Sequence, residues 1–585
     1  MVQPIINAAK CFSSIANSNR SKPGGDDCII NSLTANDWPG GDHVDNESII
    51  ESLIKNRQMP FIDTHTKDIN ILHFSKINEY CRQGYLEFQD ANGNRHYAIN
   101  NLSVIKQKGL HLSEGHKFHL IRKRDLTQIL EKHFSHKQSI WASNHLNSLN
   151  KDACAKGVNY IKMVTGFSVI FFAIFFLFSN LFNIVNNLLY LSQNILKAAL
   201  FKNGFRKTDK SLAKRTGPLP IYSVLIPLYK EDIKAKFILK SIELLDYPKD
   251  KLDVKLIIEA DDILTIRALA VLDIPSYVQL IKVPYSLPRT KPKALNYAMG
   301  FARGEFVTIY DAEDRPDSDQ LLKALYAFET LTDDYACVQA KLNFYNAKEN
   351  ILTRFFSLEY RIWFEYFLKG LSFLNIPIPL GGTSNHFKID KLKEVGYWDA
   401  YNVTEDADLG IRLYLRGYKV HIIDSVTTEE APVNIYDWIA QRSRWIKGYL
   451  QTICVFMKAK KDRKVFSLQD SLSVYVFVGL STYSFLCLPW LFTSLLLDVD
   501  PYIHYLLILN GVLSLSYLYA TAFLALMRER SNKAPSLLGA ASLLLWPLYF
   551  ILHTIASYRA IYEIVVSPFK WNKTPHGVSI DEIEE

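Results

Sequence analysis

The sequence predicts an α/β domain set between apolar, membrane-spanning segments, with a small α+β domain before it. Short apolar runs, such as residues 222–227 and 254–258, alternate with helical stretches between residues 218 and 430. This alternation is typical of a parallel sheet covered by helices. Long apolar segments lie on both sides of that region, and their length suits membrane helices. A chain of 585 residues is also too long for one ordinary domain.

Composition narrows the functional classes. The seven cysteines are scattered without a Cys-x-x-Cys pair, which disfavours a disulfide framework or a zinc site and suits a reducing compartment. The formal net charge of +8 is modest for this length, and its lysines and arginines gather beside the apolar segments. We interpret them as cytoplasmic charge flanking a membrane, not as a nucleic-acid surface.

Two units are predicted before the first apolar segment. Residues 1–58 contain two Pro-Gly-Gly turns and little periodicity, so a flexible tail is expected. This stretch lacks the apolar core of a signal peptide, which places the N-terminus in the cytoplasm. Residues 59–150 predict a small α+β domain, with a hairpin turning at 92–94 and a short amphipathic helix over 126–134.

A transmembrane hairpin is predicted over residues 160–200. Residues 160–178 are almost wholly apolar and have the length of a spanning helix. Residues 182–200 are interrupted by Asn183, Asn186, Asn187, Gln193 and Asn194. This second segment is either a span packed against other helices or an interfacial helix. Positive charge on both sides of the pair favours two crossings.

The C-terminal region, residues 466–566, predicts further membrane helices. Apolar spans lie near 472–497 and 502–527. A third apolar segment, 537–566, has positive charge on both sides, which favours zero or two crossings and leaves open a broken or re-entrant pair. Residues 567–585 are expected to form a cytoplasmic tail.

Three carboxylates fall within four residues at Asp311, Glu313 and Asp314, directly after an apolar strand. Grouping carboxylates at a buried strand end is costly unless a cation lies there. Hard oxygen ligands of this kind suit a divalent cation such as Mg²⁺ or Mn²⁺. The alternative is an exposed acidic turn; the strand context favours a metal site.

Two further clusters border this group in the sequence. Asp261 and Asp262 end the preceding strand and could accept hydrogen bonds from a base or ribose, although aspartate pairs are also common turn formers. Lys291 and Lys293 open the next helix and could meet phosphate charge, or they could be ordinary solvated lysines.

Glu405 and Asp406 follow Thr404 at the start of a predicted helix. In one interpretation, Thr404 caps the helix and the two acids complement its dipole. In the other, one carboxylate is the general base that takes a proton from an acceptor hydroxyl. The residues alone leave both open.

The segment from Gln441 to Trp445 precedes the C-terminal apolar region. It could be a membrane-surface helix anchored by Trp445 and its arginines. Alternatively, the indole face of Trp445 could bind a sugar ring and Arg444 a diphosphate. Spacing alone does not decide between these interpretations.

Taken in order, these segments resemble the family 2 glycosyltransferases, in particular the membrane-embedded branch that includes cellulose and hyaluronan synthases. The resemblance covers about residues 220–455. The segments that carry it are 223–229, 259–262, 293–296, 310–314, 338–339, 381–385, 404–406 and 441–445. The tail segment 571–577 is also similar to a closing signature of this branch.

The resemblance implies a GT-A fold over residues 218–455 and inverting transfer from a UDP-type sugar to a growing polysaccharide. It implies a catalytic Asp406 beside Glu405 and a metal motif, normally Asp-x-Asp, filled by Asp311 with Glu313 or Asp314. The substrate-binding residues would then be Asp261, Asp262, Lys293, Gln441, Arg444 and Trp445.

The expected partners are a UDP-sugar donor, a polysaccharide or lipid-linked acceptor, the lipid bilayer, and export or regulatory proteins; no nucleic acid is expected. The expected location is the bacterial inner membrane with the catalytic domain in the cytoplasm. Two alternatives are a non-processive transferase that forms a glycolipid and a catalytically inactive membrane scaffold. Residues 59–150 resemble the N-terminal domain of type II secretion ATPases, which implies a regulatory or docking role.

Overall fold

The computed structural model describes residues 61–64, 66, 69–100, 104, 117–205, 217–462, 467–474, 480–494, 500–528 and 537–571. The predicted tail 1–58 and residues 572–585 of the predicted tail 567–585 lie outside this part of the chain.

The N-terminal unit is built on a small mixed sheet. Its five described strands run in the spatial order β1-β5-β4-β3-β2: β1 (Phe61–Ile62), β2 (Asn70–Ile71), β3 (Tyr85–Gln89), β4 (Arg95–Ile99) and β5 (Lys117–Ile121). Strands β3 and β4 form the predicted hairpin. Asp90 closes its turn by accepting hydrogen bonds from the backbone N–H groups of Asn92 and Asn94, each at 2.9 Å.

Four of the described helices accompany this sheet and lead away from it: α1 (Ile77–Gln83), α2 (Lys123–Leu149), α3 (Tyr160–Leu177) and α4 (Ser179–Gly204). The predicted short helix over 126–134 is the beginning of the 27-residue α2. Only Phe178 separates α3 from α4.

Within residues 217–462, all of which the structure describes, eight strands form one mixed sheet in the order β10-β13-β11-β12-β9-β6-β7-β8. They are β6 (Tyr222–Leu228), β7 (Leu252–Glu259), β8 (Val278–Val283), β9 (Phe306–Ile309), β10 (Arg315–Pro316), β11 (Tyr335–Phe344), β12 (Asn385–Lys388) and β13 (Lys419–Glu429). Strands β9, β6, β7 and β8 pair in parallel. Strand β12 runs antiparallel to both β9 and β11, so the sheet is mixed and not purely parallel as expected. The α/β class is confirmed.

Nine helices of the same range accompany the sheet. They are α5 (Ala235–Glu243), α6 (Ile263–Ala270), α7 (Lys291–Met299), α8 (Gln320–Thr330), α9 (Ile351–Arg361), α10 (Leu368–Phe373), α11 (Ile389–Glu394), α12 (Glu405–Leu415) and α13 (Ile435–Asp462). A π-helical segment, Ile362–Phe367, joins α9 to α10 without a break. Such segments within α-helices are often found at functional sites.

The N-terminal unit packs directly on the α/β domain through α2 and α7. The Nε2 of Gln138 donates to the carbonyl of Tyr297, and the Nδ2 of Asn296 donates to the carbonyl of Ala142, each at 3.0 Å. Apolar residues of both units, such as Leu130 and Leu295, belong to one buried cluster. The two units therefore share a core and are not tethered by a free linker.

The C-terminal helices are α14 (Leu468–Val474), α15 (Leu480–Ser494), α16 (Pro501–Arg528) and α17 (Leu537–Val566). Among the described residues, three helices are long and apolar enough to cross a membrane: Tyr160–Leu177, Pro501–Met527 and Ala541–Val566. The last of these lies in α17, which is one continuous helix through Pro547 in place of a broken or re-entrant pair.

Helix α4 is not among those three because polar side chains interrupt its apolar sequence, and these side chains face α15 and α16. The Oδ1 of Asn183 accepts from Nε1 of Trp490 at 3.0 Å. The Nδ2 of Asn194 donates to Oγ of Ser514 at 2.9 Å. Hydrogen bonds of this kind between helices satisfy polar groups in an apolar environment, so α4 is packed into the helical bundle along this polar side.

Candidate active site

The candidate site lies beyond the carboxyl ends of the central parallel strands. Strands β6, β7 and β9 end at Leu228, Glu259 and Ile309, and the acidic clusters follow two of them. In open α/β sheets, ligands bind at this edge because the loops after the strands converge there. The prediction that Asp261 and Asp311 belong to one edge therefore agrees with the strand pairing.

Asp261 lies on the open side of this edge. Its side chain is 48% exposed, and its Oδ1 accepts a hydrogen bond from Nη2 of Arg289 at 2.6 Å. The Arg289 guanidinium in turn lies 4.5 Å from the centroid of the Tyr229 ring. Asp261, Arg289 and Tyr229 thus form an accessible group with a carboxylate, a cation and an aromatic ring, which is suited to a nucleoside.

Asp262 has a different position from its neighbour and points away from that group. It caps the N-terminus of α6, where it accepts from the backbone N–H of Thr265 at 3.3 Å and from its hydroxyl at 2.8 Å. It also accepts from the backbone N–H of Lys230 at 2.5 Å and is buried. Both of its oxygens are used in the local fold, so the geometry does not support the predicted contact with substrate.

The two lysines at the start of α7 also point to different places: one into the interior and the other into the site. Lys293 is fully buried and pairs with Glu259 at 3.4 Å, so it lies in the interior and not at the predicted phosphate position. Lys291 faces the site, where its Nζ lies 2.5 Å from Oδ1 of Asp311 and 2.9 Å from the carbonyl of Gly382. Burial alone would lower the pKa of Lys291, but Asp311 and Glu405 outweigh it and raise that pKa.

The acidic loop after β9 places its three carboxylates differently. Asp314 turns back into the fold: its Oδ2 accepts from the backbone N–H of Asp311 at 2.8 Å and from the hydroxyl of Thr383. Asp311 and Glu313 line the cavity of the site. Burial, and then the charge of Asp311, raise the pKa of Glu313 to about 7.

A fourth carboxylate, Glu429 at the end of β13, joins this loop. Burial raises the pKa of Glu429 well above its usual value, and the charges of Asp314, Glu313 and Asp311 raise it further. Its Oε1 is buried and has no hydrogen-bond partner among the described residues. Its position at the carboxyl end of a strand of the same sheet follows the rule that points to Asp311, so the sequence could have revealed it.

These carboxylates fit a divalent cation in part. The unpartnered Oε1 of Glu429 and the raised pKa values mark an excess of negative charge that a cation would neutralise. Across the described residues, no group of three or more His, Cys, Asp or Glu side chains is arranged to hold a metal ion by itself. Asp311 and Glu313, which face the cavity, would therefore hold it together with oxygens of a bound ligand.

Glu405 and Asp406 begin α12 and line the same cavity. The Oδ1 of Asp406 accepts from the backbone N–H of Ala407 at 2.7 Å, and a Cβ placed on Gly382 would lie 3.3 Å from its Oδ2. Burial raises the pKa of Asp406. Burial and the charge of Asp406 raise the pKa of Glu405 to about 7. Thr404 makes no side-chain cap, so the purely capping interpretation loses its main support.

The predicted segment Gln441–Trp445 lies on α13 and faces the same cavity with Gln441, Arg444 and Trp445. Burial lowers the pKa of Arg444, whereas Glu405, Asp406 and Asp311 act in the opposite direction. The charged end of Arg444 therefore faces the carboxylates. It also lies 5.4 Å from the ring centroid of Trp571.

Trp445 faces a different neighbourhood, made by aromatic side chains of α9. Its ring centroid lies 5.8 Å from that of Phe356 and 6.2 Å from that of Tyr360. The Arg442 guanidinium lies 4.6 Å from the Trp445 ring centroid. This aromatic wall can stack against a sugar ring.

A single cavity of about 870 Å³ joins these walls to the membrane helices. Its lining includes Asp311, Glu313, Asp406 and Arg444 from the α/β domain. It also includes polar and aromatic residues of the membrane helices: Gln193, Asn194, Ser514, Tyr517, Trp546 and His553. The carboxylates and the helical bundle thus open onto the same space.

Comparison with known proteins finds a family model that matches part of the chain. Residues 306–553 match the model described as Glycosyl transferase family group 2. This range, less than half of the chain, is therefore similar to the glycosyltransferases of that group. The matched range includes the acidic loop, Glu405, Asp406 and the Gln441–Trp445 segment.

Individual relatives agree with this match. The chain is 29% identical over 262 residues to the probable glycosyltransferase YdaM of Bacillus subtilis (strain 168), covering 43% of this chain and 61% of that protein. It is 26% identical over 314 residues to the probable glucomannan 4-beta-mannosyltransferase 9 of Oryza sativa subsp. japonica, covering 51% of this chain and 59% of that protein. The chain thus spans about three fifths of the length of these relatives.

Among solved structures, the chain is similar to the mannosyltransferase PcManGT from Pyrobaculum calidifontis, a complex with GDP-Man and Mn²⁺. The identity is 20% and the TM-score 0.44, with 66% of this chain and 99% of that chain covered. The resemblance of residues 59–150 to the secretion ATPase domain stays a prediction.

Proposed function

We propose that the protein is a membrane-bound, metal-dependent, inverting glycosyltransferase that moves a sugar from a nucleotide-sugar donor to a growing polysaccharide. The observation that carries this proposal is the shared cavity, which is lined by Asp311, Glu313 and Asp406 at one end and by membrane helices at the other. The family match over residues 306–553 supports the reaction class.

The donor's base and ribose would lie against Asp261, Arg289 and Tyr229. Asp261 is accessible, and its contact with Arg289 at 2.6 Å orients the carboxylate toward the open side of the strand edge. The ring of Tyr229 offers a flat apolar surface beside it. That the nucleotide is UDP remains a prediction from the sequence.

Asp311 and Glu313 would hold Mg²⁺ or Mn²⁺ on the donor diphosphate. Such a cation neutralises the negative charge that builds on the leaving phosphates. Lys291 is the protein's own cation at this position, because its Nζ lies 2.5 Å from Asp311. Arg444 approaches from α13 and adds a second positive group on the same side.

Asp406 would be the general base. It takes the proton from the acceptor hydroxyl while that oxygen forms a bond to the anomeric carbon, and the bond from this carbon to the diphosphate oxygen breaks with its electron pair on the diphosphate. The new bond forms on the opposite face from the leaving group, so the anomeric configuration inverts. The raised pKa of Asp406 makes this carboxylate a better proton acceptor than an exposed aspartate.

The acceptor would lie against Trp445 and extend toward the membrane helices. The lining there carries Gln193, Asn194 and Ser514, whose amide and hydroxyl groups can bind the hydroxyl groups of a sugar chain. These groups support a polysaccharide acceptor and export along the same route. The apolar side chains of the same lining, such as Leu488 and Phe550, are what the glycolipid alternative rests on. The positive charge that flanks the apolar segments supports a cytoplasmic α/β domain at the inner membrane of a bacterium.

The test is transfer by membranes that contain the full chain. We expect one of UDP-glucose, UDP-N-acetylglucosamine, GDP-glucose and GDP-mannose, supplied in radiolabelled form, to give a labelled product with Mn²⁺ or Mg²⁺ and none with EDTA. A sizing gel should show a ladder of long chains. A short, lipid-extractable product would favour the glycolipid alternative. No nucleotide release from any donor would overturn the proposal and favour the scaffold.

A further inference from the structure

We propose that Glu359 is a positioning residue for transfer: it fixes Arg442 against Trp445 and ties this acceptor-side wall to membrane helix α17. The proposal rests on the proposed function and deepens it, because it concerns how the same cavity holds its acceptor.

The first step is the contact between Glu359 and Arg442. The Oε2 of Glu359 lies 2.6 Å from Nη2 of Arg442, a short charge-assisted hydrogen bond. The Glu359 side chain is 27% exposed and that of Arg442 only 11%, so the pair is largely shielded from solvent. Both residues line the cavity. An ion pair at this depth holds its geometry better than one on the surface.

The second step is the position of Arg442 among aromatic rings. Its guanidinium lies 4.6 Å from the ring centroid of Trp445, and 5.1 Å from those of Trp438 and Phe356. A guanidinium held at these distances is attracted to each ring. Because Glu359 determines where the guanidinium lies, it also restricts the orientation of the Trp445 ring that would meet a sugar.

The third step is the link to the membrane. The hydroxyl of Tyr549 on α17 donates to the same Oε2 of Glu359 at 2.7 Å. His553, one turn further along α17, places Nε2 3.4 Å from Oε1. Tyr549 itself accepts from Nε1 of Trp438 at 3.1 Å. Both Glu359 oxygens therefore contact α17, and a shift of this helix would move the acceptor wall.

Arg442 and Arg444 differ in what they face, although only two positions on α13 separate them. Arg444 faces the carboxylates Glu405, Asp406 and Asp311, whereas Arg442 faces Glu359 and the aromatic rings. Two residues along a helix are turned by about 200° from each other, so the helix presents one arginine to each half of the cavity. This separation predicts that loss of Glu359 affects acceptor binding and leaves donor binding intact.

The matched control is another ion pair of α13, which joins this helix to α17. Lys447 of α13 and Glu563 of α17 lie 3.4 Å apart and are buried, but neither lines the cavity. Glu563→Gln therefore weakens the α13–α17 contact without touching the acceptor wall. Any effect shared by Glu359→Gln and Glu563→Gln reports helix packing and not positioning.

The experiment uses the purified full chain with UDP-glucose or GDP-mannose as donor and β-1,4-linked glucohexaose or mannohexaose as acceptor. For Glu359→Gln we expect the acceptor KM to rise by about tenfold or more, the size of a lost hydrogen bond to a charged group, while the donor KM stays within about twofold. Tyr549→Phe removes one donor to Glu359 and also the acceptor of the Trp438 Nε1; it should raise the acceptor KM by about two- to threefold and lower the melting temperature. Combining Glu359→Gln with Arg442→Gln should add little to Arg442→Gln alone, because the two residues act as one unit.

An active wild type with an unchanged acceptor KM in Glu359→Gln and Tyr549→Phe would overturn the role of Glu359 alone. So would equal rises in donor and acceptor KM, or the same acceptor effect in Glu563→Gln. A wild type that releases no nucleotide from any of UDP-glucose, UDP-N-acetylglucosamine, GDP-glucose and GDP-mannose would overturn the proposed function and this proposal with it.

Discussion

The cavity has a donor half, with Glu313 and Glu405, and a membrane half, with Glu359 and Arg442. The pKa values of these glutamates are shifted in opposite directions in the two halves. At the donor half, burial and neighbouring carboxylates raise the pKa values of Glu313 and Glu405 to about 7. At the membrane half, burial alone would also raise the pKa of Glu359, but Arg442 and His553 outweigh it and lower that pKa to about 2. The donor half thus holds more negative charge than its own cations neutralise, whereas the carboxylate of the membrane half is already paired.

This difference indicates how each half would work. An excess of buried carboxylates has a cost in the free protein that a cationic ligand would relieve. A carboxylate already held by Arg442 and Tyr549 needs no ligand to become ordered. We therefore expect the donor half to become ordered when it binds its ligands, and the membrane half to be ordered before the acceptor binds.

The largest effect should come from Asp406→Asn. The amide cannot take the acceptor proton, and general-base catalysis contributes about 10²- to 10⁴-fold, so the transfer rate should fall by that factor. Donor affinity should stay within about twofold, because the proposed base acts on the acceptor hydroxyl and not on the donor. Rates of nucleotide release with and without an oligosaccharide acceptor, together with donor binding by calorimetry, measure both quantities.

Glu405→Gln is the neighbour control for this prediction, since it keeps Asp406 and changes the adjacent carboxylate. Full transfer activity in Asp406→Asn would remove the base assignment. If Glu405→Gln instead lost transfer to the extent expected for Asp406→Asn, the base would be Glu405 and the two residues of this pair would exchange roles.

The next effect separates the carboxylates of the acidic loop. Asp311→Asn should raise the Mn²⁺ concentration needed for half-maximal transfer by about tenfold or more, because it would remove one of the oxygen ligands proposed for the cation. Asp314→Asn should leave that concentration within about twofold but lower thermal stability, because Asp314 holds the backbone N–H of Asp311 and the hydroxyl of Thr383. Metal titrations of transfer, paired with melting curves, distinguish the two. A shifted metal requirement in Asp314→Asn with unchanged melting would assign Asp314 as the ligand.

The sequence was informative where chemistry follows strand ends and less so where it depends on packing. Asp261 and Asp311 could be placed together because parallel strands bring their carboxyl ends to one edge. Glu429 obeys the same rule, but a single acid at the end of a strand is a weaker sequence signal than the three grouped carboxylates of the acidic loop. Glu359 carries no such signal, since its role arises only where α9, α13 and α17 meet.

Neighbouring residues of one type were the hardest to distinguish. Asp261 and Asp262 have the same chemistry, yet only Asp262 caps α6. Lys291 and Lys293 both begin α7, yet Lys293 turns inward to Glu259. Successive side chains point in different directions at a helix start, so composition predicts that such a cluster exists without saying which member faces the ligand.

The charge excess of the donor half also predicts a pH effect on stability. The folded protein holds the Glu405 proton up to about pH 7, whereas an unfolded glutamate releases it near its usual pKa of 4.5. Between these values the folded state binds more protons, so the free energy of unfolding contributed by Glu405 falls as the pH rises. In metal-free buffer, the melting temperature of the wild type should therefore drop more between about pH 5 and pH 8 than that of Glu405→Gln. Parallel pH profiles for the two proteins would contradict the raised pKa, and with it the contrast between the two halves.

The smallest expected effect tests whether Asp262 belongs to the fold and Asp261 to the site. Asp262→Ala removes the N-cap of α6 and should lower the free energy of unfolding by about 1 kcal/mol. Asp261→Ala, its matched neighbour, should leave melting unchanged, because this carboxylate is 48% exposed and holds only the accessible Arg289. The effect on donor affinity should be the reverse: the dissociation constant of the donor should rise for Asp261→Ala and change little for Asp262→Ala. Melting curves and donor titrations of the two variants measure this crossover. Loss of donor affinity in both variants would mean that the loop after β7 acts as a unit, since a cap that orders the loop would then also order the donor site.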